Sequence, residues 1–126
     1  MANAAKRKGT TYESAIVKHF SEAGIPARRV AQTGALDLGD IHGIDPFVGQ
    51  CKAYRDLTAA LRDGVAGANV QATRAGRPYG VAFVKRPGKP IADGYAVMDV
   101  ATFTRLLSAI RADAELADRY RDLSDS

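Results

Sequence analysis

Two short runs separated only by Asp45-Pro46 constrain this chain more than any other feature. Asp40 to Ile44 and Phe47 to Tyr54 each have strand length, and the Asp-Pro pair between them is a turn signal, so they predict a hairpin. Within the second run, Gln50 and Lys52 are two residues apart and share one face, while Cys51 points to the other. A glutamine and a lysine on one strand face are costly to bury without partners. Either the strand is an edge with a solvated face, or it is central and its polar pair meets another polar group. The adjacent Phe47-Val48 argues for the central position. Asp40 opens the first run, so folding the hairpin brings its carboxylate toward Gln50 and Lys52. Asp40 is also an ordinary turn residue, and Asp37 is a competing acid.

The rest of the chain supplies layers to cover such a sheet. Thr10 to Ala23 predicts a helix with Tyr12, Ile16, Val17 and Phe20 along one stripe, stopped by Gly24 and Pro26. Ala27 to Ala31 reads as a short strand, and Thr33 to Gly39 as a loop. Leu57 to Thr73 has helical spacing weakened by Gly64 and Gly67. Tyr79 to Val84 is an apolar strand, Arg86 to Asp93 a basic loop, and Gly94 to Val100 another strand. Ala101 to Arg111 predicts an amphipathic helix with Phe103, Leu106, Leu107 and Ile110 on its inner face. The order is helix, three strands, helix, two strands, helix. That order implies an α/β (α+β) fold with a mixed central sheet of about five strands flanked by helices. The 126 residues fit a single domain, with residues 1–9 expected as a basic flexible arm and 112–126 as a polar helical tail.

Charge and cysteine content narrow the class. The formal net charge is +4. Residues 1–29 carry Lys6, Arg7, Lys8, Lys18, Arg28 and Arg29 against Glu13 and Glu22, and Arg74 to Lys89 carries cations and no acid. Such asymmetry suits a polyanion, because each phosphate contact releases condensed counterions; it also suits solvated surface charge. A single cysteine excludes an internal disulfide and a cysteine-based zinc cage. With no apolar run of membrane length and no secretory signal pattern, the expected compartment is the cytoplasm.

Glu13 has two readings. Thr10-Thr11-Tyr12-Glu13 matches a capping box, with threonine at the N-cap and glutamate at N3. Glu13 also borders the inner stripe, where it could serve a metal. Glu13, Asp40, Gln50 and Lys52 together suit phosphodiester hydrolysis. Mg²⁺ accepts a few carboxylates in octahedral oxygen geometry, and Gln50 would add a neutral oxygen. Lys52 would stabilise transition-state charge or orient the attacking water. His42 shares a strand face with Asp40 and is either a general base or a structural histidine. Tyr54 and Arg55 could reach phosphate, and Gln71 could approach the site.

These residues carry a resemblance. Lys6-Arg-Lys-Gly9 with Glu13, Arg29-Val-Ala-Gln-Thr-Gly34, Gly39-Asp-Ile41, Gly49-Gln-Cys-Lys52 and Gly80-Val-Ala-Phe-Val-Lys85 occur in order. In that order and spacing they resemble the PD-(D/E)xK nuclease superfamily, in particular archaeal-type Holliday junction resolvases and their phage relatives. The resemblance spans roughly residues 6–110. It implies a restriction-endonuclease-like sheet and a Mg²⁺-dependent endonuclease, with Mn²⁺ able to substitute. Glu13, Asp40 and Gln50 would bind metal, Lys52 would be catalytic, and Thr33 would lie near the scissile phosphate. Lys6, Arg7, Lys8, Arg29, Arg55, Lys85 and Arg86 would bind DNA, with branched or four-way DNA as substrate and a homodimer as the working form. The alternatives are a restriction or repair nuclease, or a DNA-binding module without catalysis. A phage-encoded chain would work in the host cytoplasm. The superfamily usually has Glu where this chain has Gln50, although Mrr-type restriction nucleases carry Gln-x-Lys. The change removes one negative charge from the metal site.

Overall fold

The structure is a computed structural model, and it describes residues 3–30 and 40–124, with side chains from residue 9 onward. Helix α1 (Asn3–Glu22) is followed by strands β1 (Arg28–Arg29), β2 (Ile41–Ile44) and β3 (Phe47–Lys52). Helix α2 (Leu57–Arg74) leads to β4 (Tyr79–Val84), a single 3₁₀ turn over Ile91–Asp93, β5 (Tyr95–Val97) and helix α3 (Val100–Ser124). The sheet order is β1-β2-β3-β4-β5. The fold is therefore α+β, a five-stranded mixed sheet flanked by three helices.

The hairpin turns at Asp45-Pro46 as expected, with Ile44 opposite Phe47, and the register slips between there and the Ile41–Gly49 pair. Strand β3 is central: it pairs antiparallel with β2 and parallel with β4, from Phe47 opposite Tyr79 to Lys52 opposite Val84. Parallel neighbours need a crossover, and α2 supplies it. The parallel pairing also sets the carboxyl ends of β3 and β4 side by side.

Alternation along β3 and β4 sorts their side chains into two layers. On one face, Tyr12 and Ile16 of α1 pack with Ile41, Cys51, Val81 and Phe83. On the other, Ala60 of α2 packs with Ala82 and Val84. Ile41, Val48 and Val84 are fully buried, each contributing about 1.5–3 kcal/mol of transfer free energy. The sheet-facing side of α2 is built from small residues, Ala60, Gly64, Ala68 and Ala72, which lets the helix lie close. At Gly80 the approach is so tight that a Cβ would collide with the Ala68 carbonyl.

Three expectations need correction. Helix α1 starts at Asn3 rather than Thr10, so Thr10 lies within a helix and cannot be an N-cap. The capping-box reading of Glu13 falls with it. The segment expected as an arm is helical from Asn3, in keeping with the helix propensity of its Ala, Lys and Arg residues. Secondly, β5 is shorter than expected, three residues, because Asp99 caps the next helix instead of extending the strand. Thirdly, Phe103, Leu107 and Ile110 are exposed and do not form an inner face, while the buried residue of α3 is Thr102.

A polar network fixes that rotation. The Asp99 carboxylate accepts from the Thr102 amide at 2.7 Å and from the Asn69 side-chain amide of α2 at 2.6 Å. Arg105 donates to the Pro78 carbonyl, and the Tyr79 hydroxyl donates to the Arg105 carbonyl, both at 3.4 Å. The helix is thus held by its Asp99–Thr102–Arg105 side, which turns its apolar residues outward.

Candidate functional site

The candidate site lies on β3. Asp40 immediately precedes β2, and its Oδ2 accepts the Cys51 backbone N–H at 2.8 Å. The Asp40 amide in turn donates to the Gly49 carbonyl, so both bonds pin this carboxylate beside β3. Hairpin geometry therefore delivers Asp40 to the strand that carries Gln50 and Lys52.

Gln50 and Lys52 share the face that looks toward α2. The two glycines that weaken α2 as a helix lie over them, and the approach is tight at Gly64. A Cβ at Gly67 would stand 3.5 Å from the Gln50 Cγ, and one at Gly64 would stand 3.2 Å from the Lys52 Cγ. At Gly64 the cost in helix propensity, about 1 kcal/mol, makes space for the Lys52 stem beneath the helix, whereas at Gly67 a Cβ would make only ordinary contact with Gln50. Gln50 is 8 % exposed, and its Oε1 is buried with no hydrogen-bond partner. An unsatisfied buried amide oxygen costs about 1–3 kcal/mol. Gln71, on the same face of α2, is also buried with its Oε1 unpartnered. Lys52 is half-buried and holds its ammonium 5.3 Å from the centre of the Tyr54 ring.

Glu13 projects from α1 and forms an ion pair with Arg29 of β1 at 3.1 Å. The pair is partly exposed, so its worth to stability is about 0–1 kcal/mol. Its importance is positional: it ties α1 to the sheet edge and sets Glu13 on the same side as Cys51. Burial pushes the Cys51 thiol well above its ordinary value; Asp40 and Glu13 raise it further, and Lys52 and Arg29 oppose them. Two carboxylates and two cations thus act on one buried thiol, which stays protonated and unreactive. The Tyr12 hydroxyl, buried and unpartnered, is also pushed up, first by burial and then by Cys51.

The structure thus gathers Glu13, Asp40, Lys52 and Arg29 around one strand, with Gln50 on it. Thr33 and the competing acid Asp37 lie outside the described residues. His42 is half-buried on β2, opposite Arg28 in the register. Among the DNA-binding candidates, Arg55 is exposed, and Lys85 and Arg86 are half-buried. The Lys85 amide donates to the Lys52 carbonyl at 3.0 Å, so Lys52, Arg55, Lys85 and Arg86 cluster at the shared carboxyl end of β3 and β4. Arg86 also stacks 5.1 Å from the Tyr95 ring. Lys6, Arg7 and Lys8 lie on α1. Among the described residues no group of three His, Cys, Asp or Glu side chains is arranged to hold a metal. Of the three residues named as metal ligands, Gln50 looks toward α2, Glu13 lies on the α1 side with Cys51, and Asp40 bonds the Cys51 N–H.

Neither the Glu13–Arg29 pair nor the function of the α2 glycines is anticipated by the sequence reading. The glycines left a signal, since helix breakers facing a strand with two long polar residues imply a close approach. The ion pair left none, because it depends on how α1 crosses the sheet. Comparison with protein-family models, with curated proteins and with solved structures gives no match.

Proposed function

We propose that this chain is a Mg²⁺- or Mn²⁺-dependent DNA endonuclease acting on branched DNA, with the restriction-endonuclease-like arrangement that its motifs imply. The observation that carries the reading is the buried, unpartnered Gln50 Oε1, on the strand face that also presents Lys52 and beside the pinned Asp40. A polar atom in that state is expected where a ligand completes its bonding. Gln50 would supply a neutral oxygen and Asp40 a charge to a divalent cation; Glu13, on the Cys51 side of the sheet, would have to leave Arg29 to join them. Bound there, the cation would offset phosphate charge and lower the pKa of a water. Lys52 would stabilise charge on the reacting phosphate. Arg55, Lys85 and Arg86 supply a basic edge for the DNA backbone, a contact type that carries no base information. Selectivity would then come from the shape of the DNA and of two copies acting on opposed strands.

One observation favours a second reading, a DNA-binding module without catalysis. Glu13 is already engaged by Arg29, which leaves Asp40 as the metal site's main charge. A single experiment separates the two. The protein is incubated with a four-way junction and with linear duplex, in Mg²⁺ or in EDTA, alongside Lys52→Met. Paired nicks in the junction that need Mg²⁺ and vanish in Lys52→Met support the endonuclease. Cutting of linear duplex as well would make it a restriction or repair nuclease. Binding without cleavage under all conditions leaves only the DNA-binding module.

A further inference from the structure

Helix α3 carries an apolar seam that no described element covers. Val100 is 81 % exposed, Phe103 53 %, Leu107 43 % and Ile110 55 %. With Ala114 and Ala117, also exposed, they recur at alternating spacings of three and four, the a and d positions of a coiled-coil stripe. The seam lies about 110° round the helix from Thr102, the residue through which the helix docks on its own domain. A large exposed apolar stripe of this kind marks an interaction surface.

We infer that this seam binds α3 of a second copy of the chain, antiparallel, with Leu107 of each copy facing Ile110 of the other. This names a surface for the two-copy form proposed above, and does so from α3 alone. The register is self-consistent under a two-fold axis. It sets Phe103 against Ala114 and Val100 against Ala117, so each large residue meets a small one. A parallel pairing would instead set Phe103 on Phe103 and Ala114 on Ala114, overfilling one layer and leaving a void at another. The same register brings Tyr120 of the second copy level with Val97. There a hollow of about 440 Å³ is lined by Val97, Met98, Val100, Phe103 and Leu106. Tyr120 is itself 64 % exposed. Pairing from residue 100 to 117 spans about 27 Å of helix and buries on the order of 1,000 Å² in total, with Tyr120 adding about 150 Å² per copy. That reaches the range of a stable interface.

The test is the mass in solution of the wild type, of Leu107→Lys, of Ile110→Glu, and of an equimolar mixture of the two variants, read by light scattering after gel filtration. Both sites are exposed in the single copy, and circular dichroism checks that the variants fold. The wild type is expected to be a dimer. Each variant alone should dimerise at least about a hundredfold more weakly, because its charge meets an apolar residue twice. The mixture should recover the dimer, because the introduced lysine then meets the introduced glutamate while the other central layer stays Leu107 on Ile110. A monomeric wild type, or folded variants that remain dimeric, overturns the seam. Failure of the mixture to recover overturns the antiparallel register. None of these readouts involves metal or cleavage, so the seam and the nuclease reading fail separately.

Discussion

Replacing Gln50 by methionine should stabilise the protein in the absence of metal. The wild-type side chain buries an amide oxygen without a partner, at a cost of about 1–3 kcal/mol. Methionine matches glutamine in length and flexibility, and a swap of conserved volume costs less than about 1.5 kcal/mol. Gly67 of α2 leaves room beside the stem, since even an added Cβ there would meet the Gln50 Cγ only at 3.5 Å. The net expectation is a gain of about 1 kcal/mol, which for a chain of this size raises Tm by roughly 4 °C. Urea and thermal unfolding in EDTA measure it. Gln50→Glu should do the reverse. Burial raises a carboxyl above its ordinary value of about 4.3, so the folded state holds the proton more tightly than the unfolded state. The destabilisation is absent below about pH 4.3 and grows as pH rises through the folded value. Mg²⁺ at pH 7 should offset it. A Gln50→Met protein that loses 1 kcal/mol or more would refute the reasoning, because it would mean that the amide oxygen is satisfied.

Two further predictions concern the frame around the site. Asp99 is held below its ordinary value of 3.8, chiefly by the Thr102 backbone N–H, then by the Thr102 and Asn69 side chains, with Arg105 contributing. Its contribution to stability is therefore complete above pH 3.8 and is lost as pH falls through the lower folded value. Asp99→Ala should remove that segment of the acid unfolding curve and reduce α3 helicity by circular dichroism. Gly80→Ala should destabilise by about 3 kcal/mol or more, since its Cβ would meet the Ala68 carbonyl of α2; an unfolding midpoint within experimental error of wild type would contradict the close approach of α2 to the sheet.

Much of this fold is legible in the residues themselves. Tyr79 to Val84 is uninterrupted apolar sequence and forms β4 over the same residues. The Asp45-Pro46 turn fixes the hairpin, and period-two alternation puts Gln50 and Lys52 on one face while Cys51 takes the other. Strand rules are local, so they survive folding. Glu13 shows where local rules stop. Its capping box is a sound pattern of four residues, but the helix begins earlier, and a pattern inside a helix caps nothing. Helix α3 shows a second boundary. Its apolar stripe is real, yet amphipathicity says only that a face must be covered. The Asp99–Asn69–Thr102 network decides the orientation, and it joins residues thirty apart in sequence. The Gln50 Oε1 lies between these cases. Its strand face could be read, but its lack of a partner depends on α2 and is visible only in three dimensions.

The metal site is the central claim, and direct metal binding tests it best. Mn²⁺ titrated into the wild type and into Asp40→Asn, followed by calorimetry in the absence of DNA, gives the answer. Asparagine keeps an oxygen for the Cys51 N–H and removes only the charge. The account predicts a single saturable site per chain in the wild type, weakened by about tenfold or more in Asp40→Asn. No saturable binding, or equal binding by both proteins, would contradict it.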